Sequence, residues 1–258
     1  MIIEIYKHYV FDYLDMFSQI RLLATCRIFR DELAITDMYN INDKFKKRLT
    51  QSIIDRYIHL KKLDASYISR IINVNHLLEL EVLNAAGFSG IDDAGIMHCI
   101  NLKSLNLSNN TKITTVNHLV KLEELDISGY KCKINNFGIT SCTNLKSLIA
   151  FDNSKITKLN HLAKLEELDI SLGNYYYSNI NMNINIVEIM GCPNLKSLKA
   201  SNNSRITDIN HLVKLEILEA SGNCGINDSG IVNCVNLKKI FAHMNPKINK
   251  IHKKLIKY

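Results

Sequence analysis

The 258-residue chain contains no apolar run approaching the ~20 residues that a membrane-spanning helix requires. Its start has neither a basic n-region nor a clean apolar h-region, so no signal peptide is read there. Also missing are G-x-x-x-x-G-K-[ST], G-x-G-x-x-G, C-x-x-C, H-E-x-x-H and G-x-S-x-G. An enzyme reading is therefore left without a single named residue, and no catalytic residue, metal or cofactor is assigned. Seven cysteines in a chain with no secretory start point to free thiols in a reducing compartment. The expected location is cytoplasmic, with the nucleus open as well. What is present is apolar content of 47%, enough for a sizeable core, and a net charge of +7. From Lys238 to Lys257 there are seven lysines and no acid. They are interleaved with Ile240, Ile248, Ile251 and Leu255, which reads as a solvated cap; a nucleic-acid contact, an anionic membrane or an import signal is the rival.

The stretch Asn101–Leu119 recurs from Asn144, from Asn194 and, decayed, from Asn236. Its apolar skeleton, L-x-x-L-x-[LA]-x-x-N, is the leucine-rich-repeat signature. Opening leucines fall at Leu60, Leu80, Leu102, Leu122, Leu145, Leu165, Leu195, Leu215 and Leu237, in steps of 20, 22, 20, 23, 20, 30, 20 and 22. Nine repeats therefore alternate between a short form ending in N-H-L and a long form carrying I-x-x-x-G-I-x-x-C. The sixth, from Leu165, is stretched and lacks that glycine. The fold expected is α/β: a leucine-rich-repeat solenoid of about nine repeats over 60–258, with a parallel sheet on its concave face. Cys99, Cys142, Cys192 and Cys234 recur with the long form, as small buried residues at a bend, too far apart for mutual disulfides. Asn110, Asn153, Asn203, Asn223 and Asn245 close their skeletons and are expected to be buried, bonding turn backbone. His76, His118, His161 and His211 are each two strand spacings apart, ~10 Å, too far to share one metal ion.

Residues 1–40 lie outside the repeat. Ile2, Ile5, Tyr6, Tyr9, Val10, Tyr13 and Leu14 keep helical spacing, and Ile20, Leu22, Leu23, Cys26 and Phe29 suggest further short helices. Forty residues are too few for a self-sufficient core. Residues 41–59 carry Ile41, Phe45, Leu49, Ile53 and Tyr57 four apart, which predicts one amphipathic helix joining the two parts and capping the first repeat.

Within 1–40, Glu4-Ile5, Val10-Phe11-Asp12-Tyr13-Leu14-Asp15, Ile20-Arg21-Leu22 and Thr25-Cys26-Arg27-Ile28-Phe29-Arg30 resemble an F-box, with Ile2-Ile3 where that family opens with Leu-Pro. An F-box followed by leucine-rich repeats resembles the F-box/leucine-rich-repeat family. The Asn-, Ile- and Lys-rich vocabulary is similar to members encoded by giant DNA viruses of amoebae. That resemblance implies a small helical domain that docks on the adaptor subunit of an SCF-type cullin–RING ubiquitin ligase, while the solenoid presents a client protein. The matched positions Ile5, Val10, Leu14, Ile20, Leu22, Cys26 and Phe29 are then adaptor-facing or the domain's own core; the sequence does not separate the two roles. No small-molecule substrate, membrane or nucleic acid is assigned as a partner. The rivals are a scaffold or decoy without ligase coupling, and a nucleic-acid binder using the basic end.

Side chains alternate along a strand. The second position of the nine repeats reads Lys61, Glu81, Lys103, Glu123, Lys146, Glu166, Lys196, Glu216, Lys238. This is a self-neutralising ladder in which each lysine has a glutamate on every available side. It sets register, because a slip by one repeat stacks like charges. The fifth position varies, and the seventh is mostly serine. Ile149 and Phe151 form an apolar step on this polar face, one strand from the insertion with Tyr175, Tyr176 and Tyr177. These residues with Lys199 make up the expected client-binding patch.

Overall fold

The computed structural model describes residues 35–39, 41, 43–173 and 189–248, together with Leu14, Ser18, Gln19, Arg21 and Leu22. Ten strands form one parallel sheet in strict chain order: β1 (Asp37–Met38), β2 (Lys62–Asp64), β3 (Val82–Asn84), β4 (Ser104–Asn106), β5 (Glu124–Asp126), β6 (Ser147–Ile149), β7 (Glu167–Asp169), β8 (Ser197–Lys199), β9 (Ile217–Glu219) and β10 (Lys239–Phe241). The register is constant. Leu63, Leu83, Leu105, Leu125, Leu148, Leu168, Leu198, Leu218 and Ile240 stand side by side, each at most 2% exposed. One core runs the length of the stack, because each repeat can hide its apolar edge only against its neighbours.

The structure corrects the sequence reading at its front. The sheet begins at β1, inside the segment read as 1–40, not at Leu60. β1 pairs with β2, and Met38 is fully buried. The continuous helix expected over 41–59 is two single turns, Asp43–Lys46 and Gln51–Ile54. The break lets Leu49 and Ile54 both drop into the core, while the Arg70 guanidinium donates to the freed carbonyls of Lys47 and Leu49. Gln51 accepts from the N–H groups of Ile72 (2.9 Å) and Asn73 (3.1 Å), which ties this cap to the first return segment. The return segments carry little α-helix: among the described residues Ile189 alone is in α-helical conformation, and the rest are turns and 3-10 helices at Ala94–Ile96, Asn136–Ile139 and Asp228–Ile231. In each such helix a glycine permits close stacking. A Cβ on Gly95, Gly138 or Gly230 would lie 2.1–2.4 Å from a carbonyl oxygen of the preceding repeat.

Odd and even repeats are built differently. In every repeat except the sixth, where it is Leu172, the residue seven after the opening leucine has positive φ. It is Tyr67, Asn109, Asp152, Asn202 and Met244 in odd repeats, and Gly87, Gly129 and Gly222 in even ones. Odd repeats 3, 5, 7 and 9 bury Asn110, Asn153, Asn203 and Asn245, whose Nδ2 groups donate to Ala85, Ile127, Ile170 and Ala220 carbonyls at 2.7–3.2 Å. Asn223, expected to join them, is exposed; Cys224 beside it is the buried residue. His118 and His161 donate through Nε2 to Ile96 O (3.1 Å) and Ile139 O (3.0 Å), so these rings are backbone clamps. The six described cysteines are free and buried. The thiols of Cys99, Cys142, Cys192 and Cys234 donate to carbonyls of the preceding repeat. Burial pushes the Cys99 thiol up to about 12 and the other three to about 11.

Candidate binding surface on the open sheet face

The open face is polar, and most of its polar groups hold backbone. At the fifth position, Asp64, Asn84, Asn106, Asp126 and Asp169 each accept from the N–H two residues on, at 2.8–3.1 Å. This is the local turn chemistry of Asx residues, so a row read as variable is structural in these repeats. Where Lys199, Glu219 and Phe241 replace the Asx, a serine of the preceding repeat takes over. Ser171 Oγ accepts from Ser201 N–H (3.2 Å), Ser201 Oγ from Ser221 N–H (3.2 Å) and Ser221 Oγ from His243 N–H (3.1 Å). That relay is the purpose of the seventh-position serines in this half of the molecule.

Repeat 5 uses neither device. Ile149 cannot accept a hydrogen bond, and among the described residues no side chain reaches the Phe151 N–H. Ile149 is 39% exposed in a row whose only other apolar member is Phe241 on the last strand, and Phe151 is half-buried. Beside them lies a shallow depression of about 190 Å³, lined by Ser147, Ile149, Glu167, Asp169, Ser197 and Lys199 above the core leucines Leu148 and Leu168. Of the residues expected in the client patch, the structure therefore brings Ile149, Phe151 and Lys199 to one region, with Lys199 tied to Glu219 at 3.2 Å. Tyr175, Tyr176 and Tyr177 lie outside the described residues.

The sequence reading missed the acids that frame this step. The third position of each repeat also faces outward, which puts Glu124 and Glu167 on either side of Ser147, as Asp126 and Asp169 flank Ile149. Four carboxylates in two columns thus enclose one apolar strand. No described cation forms an ion pair with any of them. The negative field is felt by Tyr39, whose hydroxyl is pushed up by burial first and then by Asp64, Glu124 and Asp126. Strand alternation alone, carried two residues back from the fifth position, would have found this row.

The neighbouring Lys/Glu ladder is real but pairs one way. Lys103, Lys146, Lys196 and Lys238 each bond the glutamate of the preceding repeat at 2.7–2.8 Å. The glutamate on the other side of Lys146 and Lys196 acts only through space. At the basic end, Lys238 is consumed by this pairing, and Lys247 Nζ donates to Cys224 O at 3.2 Å; residues 249–258 lie outside the described part.

Of the adaptor-facing candidates, Ile5, Val10, Ile20, Cys26 and Phe29 also lie outside it. Leu14 is half-buried at a bend. Leu22 is partly buried and packs against the solenoid core. Among the described residues no group of side chains is arranged to hold a metal ion, and no helix is long and apolar enough to cross a membrane.

No family model matches the chain, and no curated protein matches it. Solved structures do. An internalin (inlF) from Listeria monocytogenes superposes with a TM-score of 0.56 at 22% identity, over 78% of this chain and 59% of that one. TLR13, in a complex with ssRNA13, superposes with a TM-score of 0.50 at 20% identity, over 81% of this chain and 36% of that one. The chain thus spans about three fifths of the internalin's length and little over a third of the TLR13 chain. At such identities the likeness is one of fold: a parallel solenoid of about nine turns, of the leucine-rich-repeat kind.

Proposed function

We propose that this chain is a protein-interaction scaffold without catalytic machinery, which captures a client protein on the open sheet face around Ile149 and Phe151. One observation carries the reading. Repeat 5 gives up both backbone-holding devices that every other described strand end uses, and exposes an apolar side chain between carboxylate columns instead. A residue that holds no backbone and hides no surface has contact as its remaining use. The flanking acids favour a client segment that presents an apolar side chain between basic ones, and they disfavour nucleic acid here by charge repulsion. Affinity purification from expressing cells with Ile149→Ser/Phe151→Ala tests this. Loss of a client held by the unaltered chain supports it, and an unchanged set of captured proteins refutes it.

The finer reading, that the scaffold is the substrate receptor of a cullin–RING ubiquitin ligase, rests on the F-box-like residues between Glu4 and Arg30. Leu22 then serves to seat that segment on the solenoid, which leaves Ile5, Val10 and Leu14 among the residues for the adaptor. The test is a pulldown of adaptor and cullin by the full chain and by Ile5→Asp/Leu14→Asp. Deleting residues 1–40 would be the wrong experiment, because it removes β1 from the sheet. Absence of adaptor from the unaltered chain's complexes would leave a scaffold or decoy without ligase coupling.

A further inference from the structure

A second apolar surface lies away from the sheet face. The residue two before each opening leucine is Ile58, Leu78, Ile100, Val120, Thr143, Ala163, Pro193, Val213 and Val235. All nine are exposed. The larger ones are well out in solvent: Leu78 is 62% exposed and Ile100 53%. Single exposed apolar residues are unremarkable, but eight at the same position of nine repeats, interrupted only by Thr143, make a rail along an edge, bulky at both ends and narrower at Ala163 and Pro193.

The polar groups beside the rail are already satisfied by each other. Asn101, Asn144 and Asn194 donate to the carbonyls of rail residues Leu78, Val120 and Ala163 at 2.8 Å. Lys121, Lys164 and Lys214 then donate to the Oδ1 of those same asparagines at 2.6–2.7 Å. Covering this edge would therefore leave few backbone groups unpaired. It would also meet fixed positive charge. These three lysines form no ion pair among the described residues, while the adjacent ladder holds five lysines against four glutamates, and Glu79 is taken by His59 at 2.8 Å.

Spacing selects the shape of the occupant. Rail residues advance by one strand spacing, about 4.8 Å. A helix offers one apolar residue per turn, about 5.4 Å; a strand offers one per two residues, about 6.7 Å. Over three steps a helix drifts by about 2 Å and a strand by about 6 Å, so the helix keeps its side chains between the rail's. The lysines recur every second repeat, about two helical turns, which is seven residues. We propose that this edge docks an amphipathic helix of a partner protein whose apolar stripe is flanked by carboxylates seven residues apart. An anionic bilayer fits less well, because ladder glutamates lie along the same edge. A second copy of this chain would bring lysine rows together.

The test uses the full chain and a designed 21-residue helical peptide, with leucines at the first and fourth positions of three heptads and glutamates beside them. Fluorescence anisotropy compares it with a scrambled peptide of equal composition. The proposal expects binding at least about tenfold tighter than the scrambled control. It expects about tenfold loss with Leu78→Glu/Ile100→Glu and, independently, with Lys121→Glu/Lys164→Glu/Lys214→Glu, while Ile149→Ser/Phe151→Ala binds normally. Equal binding of the scrambled peptide overturns it, as does binding that both edge variants retain. Two further results also overturn it: capture by phosphatidylserine vesicles without peptide binding, and a dimer in sedimentation that Leu78→Glu/Ile100→Glu dissolves. Melting curves confirm that each variant is folded. The lysine triple keeps the test open should the paired glutamates disturb the return segments.

Discussion

Odd and even repeats share a strand and a register, and little else. An odd repeat closes its turn with a side chain in the left-handed region, buries an asparagine (Ile68 in the first repeat) and supplies a ladder lysine. Even repeats 2, 4 and 8 close with glycine, bury serine or cysteine and add a 3-10 turn, and all four even repeats supply a ladder glutamate. The difference is complementary at atomic distances. A Cβ on Gly87 would lie 2.3 Å from the Tyr67 ring, and one on Gly129 or Gly222 would lie 2.1–2.2 Å from Asn109 or Asn202 Oδ1. The odd side chain fills the space the even glycine leaves. Register is therefore enforced by sterics as well as by the charges read from the sequence, and the steric device is the stronger, because exposed ion pairs are screened by water.

The comparison can be broken from either side. The largest effect belongs to the buried amides. Asn153→Leu leaves the Ile127 carbonyl and the Lys155 N–H without their partner and should cost about 3 kcal/mol in urea unfolding. Cys132→Ala, in the neighbouring even repeat, should cost about 1 kcal/mol. Thiol labelling isolates the even repeats, which hold every described cysteine. With Cys99, Cys132, Cys142, Cys192 and Cys234 pushed to about 11 or 12 and Cys224 also raised by burial, alkylation at pH 8 should be slower in the native chain by on the order of a hundredfold than after denaturation. Between the two core losses in size, Gly129→Ala at φ +88 should cost about 2 kcal/mol. The odd-side change Asn109→Gly should be nearly silent and should relieve part of that cost when combined with it; strictly additive effects would deny the steric interlock.

The smallest effect is the ladder's. Lysine partners hold Glu81, Glu123 and Glu166 below the ordinary value of 4.5. A lowered carboxylate contributes stability in full above its unfolded value and loses it as pH falls through the lowered folded value. Thermal midpoints should therefore decline below about pH 4.5, by less in 1 M salt than at low ionic strength. Lys146→Glu should remove part of that decline and lower the midpoint at pH 7 less than any substitution above.

The nine repeats, their alternation and the ladder were legible because each is a periodic signal, repeated often enough for its spacing to be counted. What escaped depends on single contacts. The Asx bonds look like a variable surface row, because Asp and Asn are also ordinary exposed residues. Asn223 sits on the asparagine position, but Gly222 and Cys224 carry that turn, and the asparagine is left in solvent. The four-residue period from Ile41 to Tyr57 is a valid helical pattern, yet two separate turns bury Phe45, Leu49 and Ile54 better than one rod would. Strand β1 is two residues long and is fixed by its neighbour rather than by any pattern of its own. In the candidate surface, Ile149 and Phe151 stood out as apolar exceptions to a polar row. Glu124 and Glu167 did not, since a glutamate on a strand looks exceptional only once the strands on both sides are aligned.

The interlock between Tyr67 and Gly87, repeated at Asn109 with Gly129 and at Asn202 with Gly222, also bears on how such a molecule changes length over evolutionary time. Unequal crossing-over that copies a single turn would set two bulky corners, or two bare ones, against each other. Copying a matched couple of roughly 42 residues restores every contact at the junction, so lineages carrying this architecture should gain and lose coils two at a time.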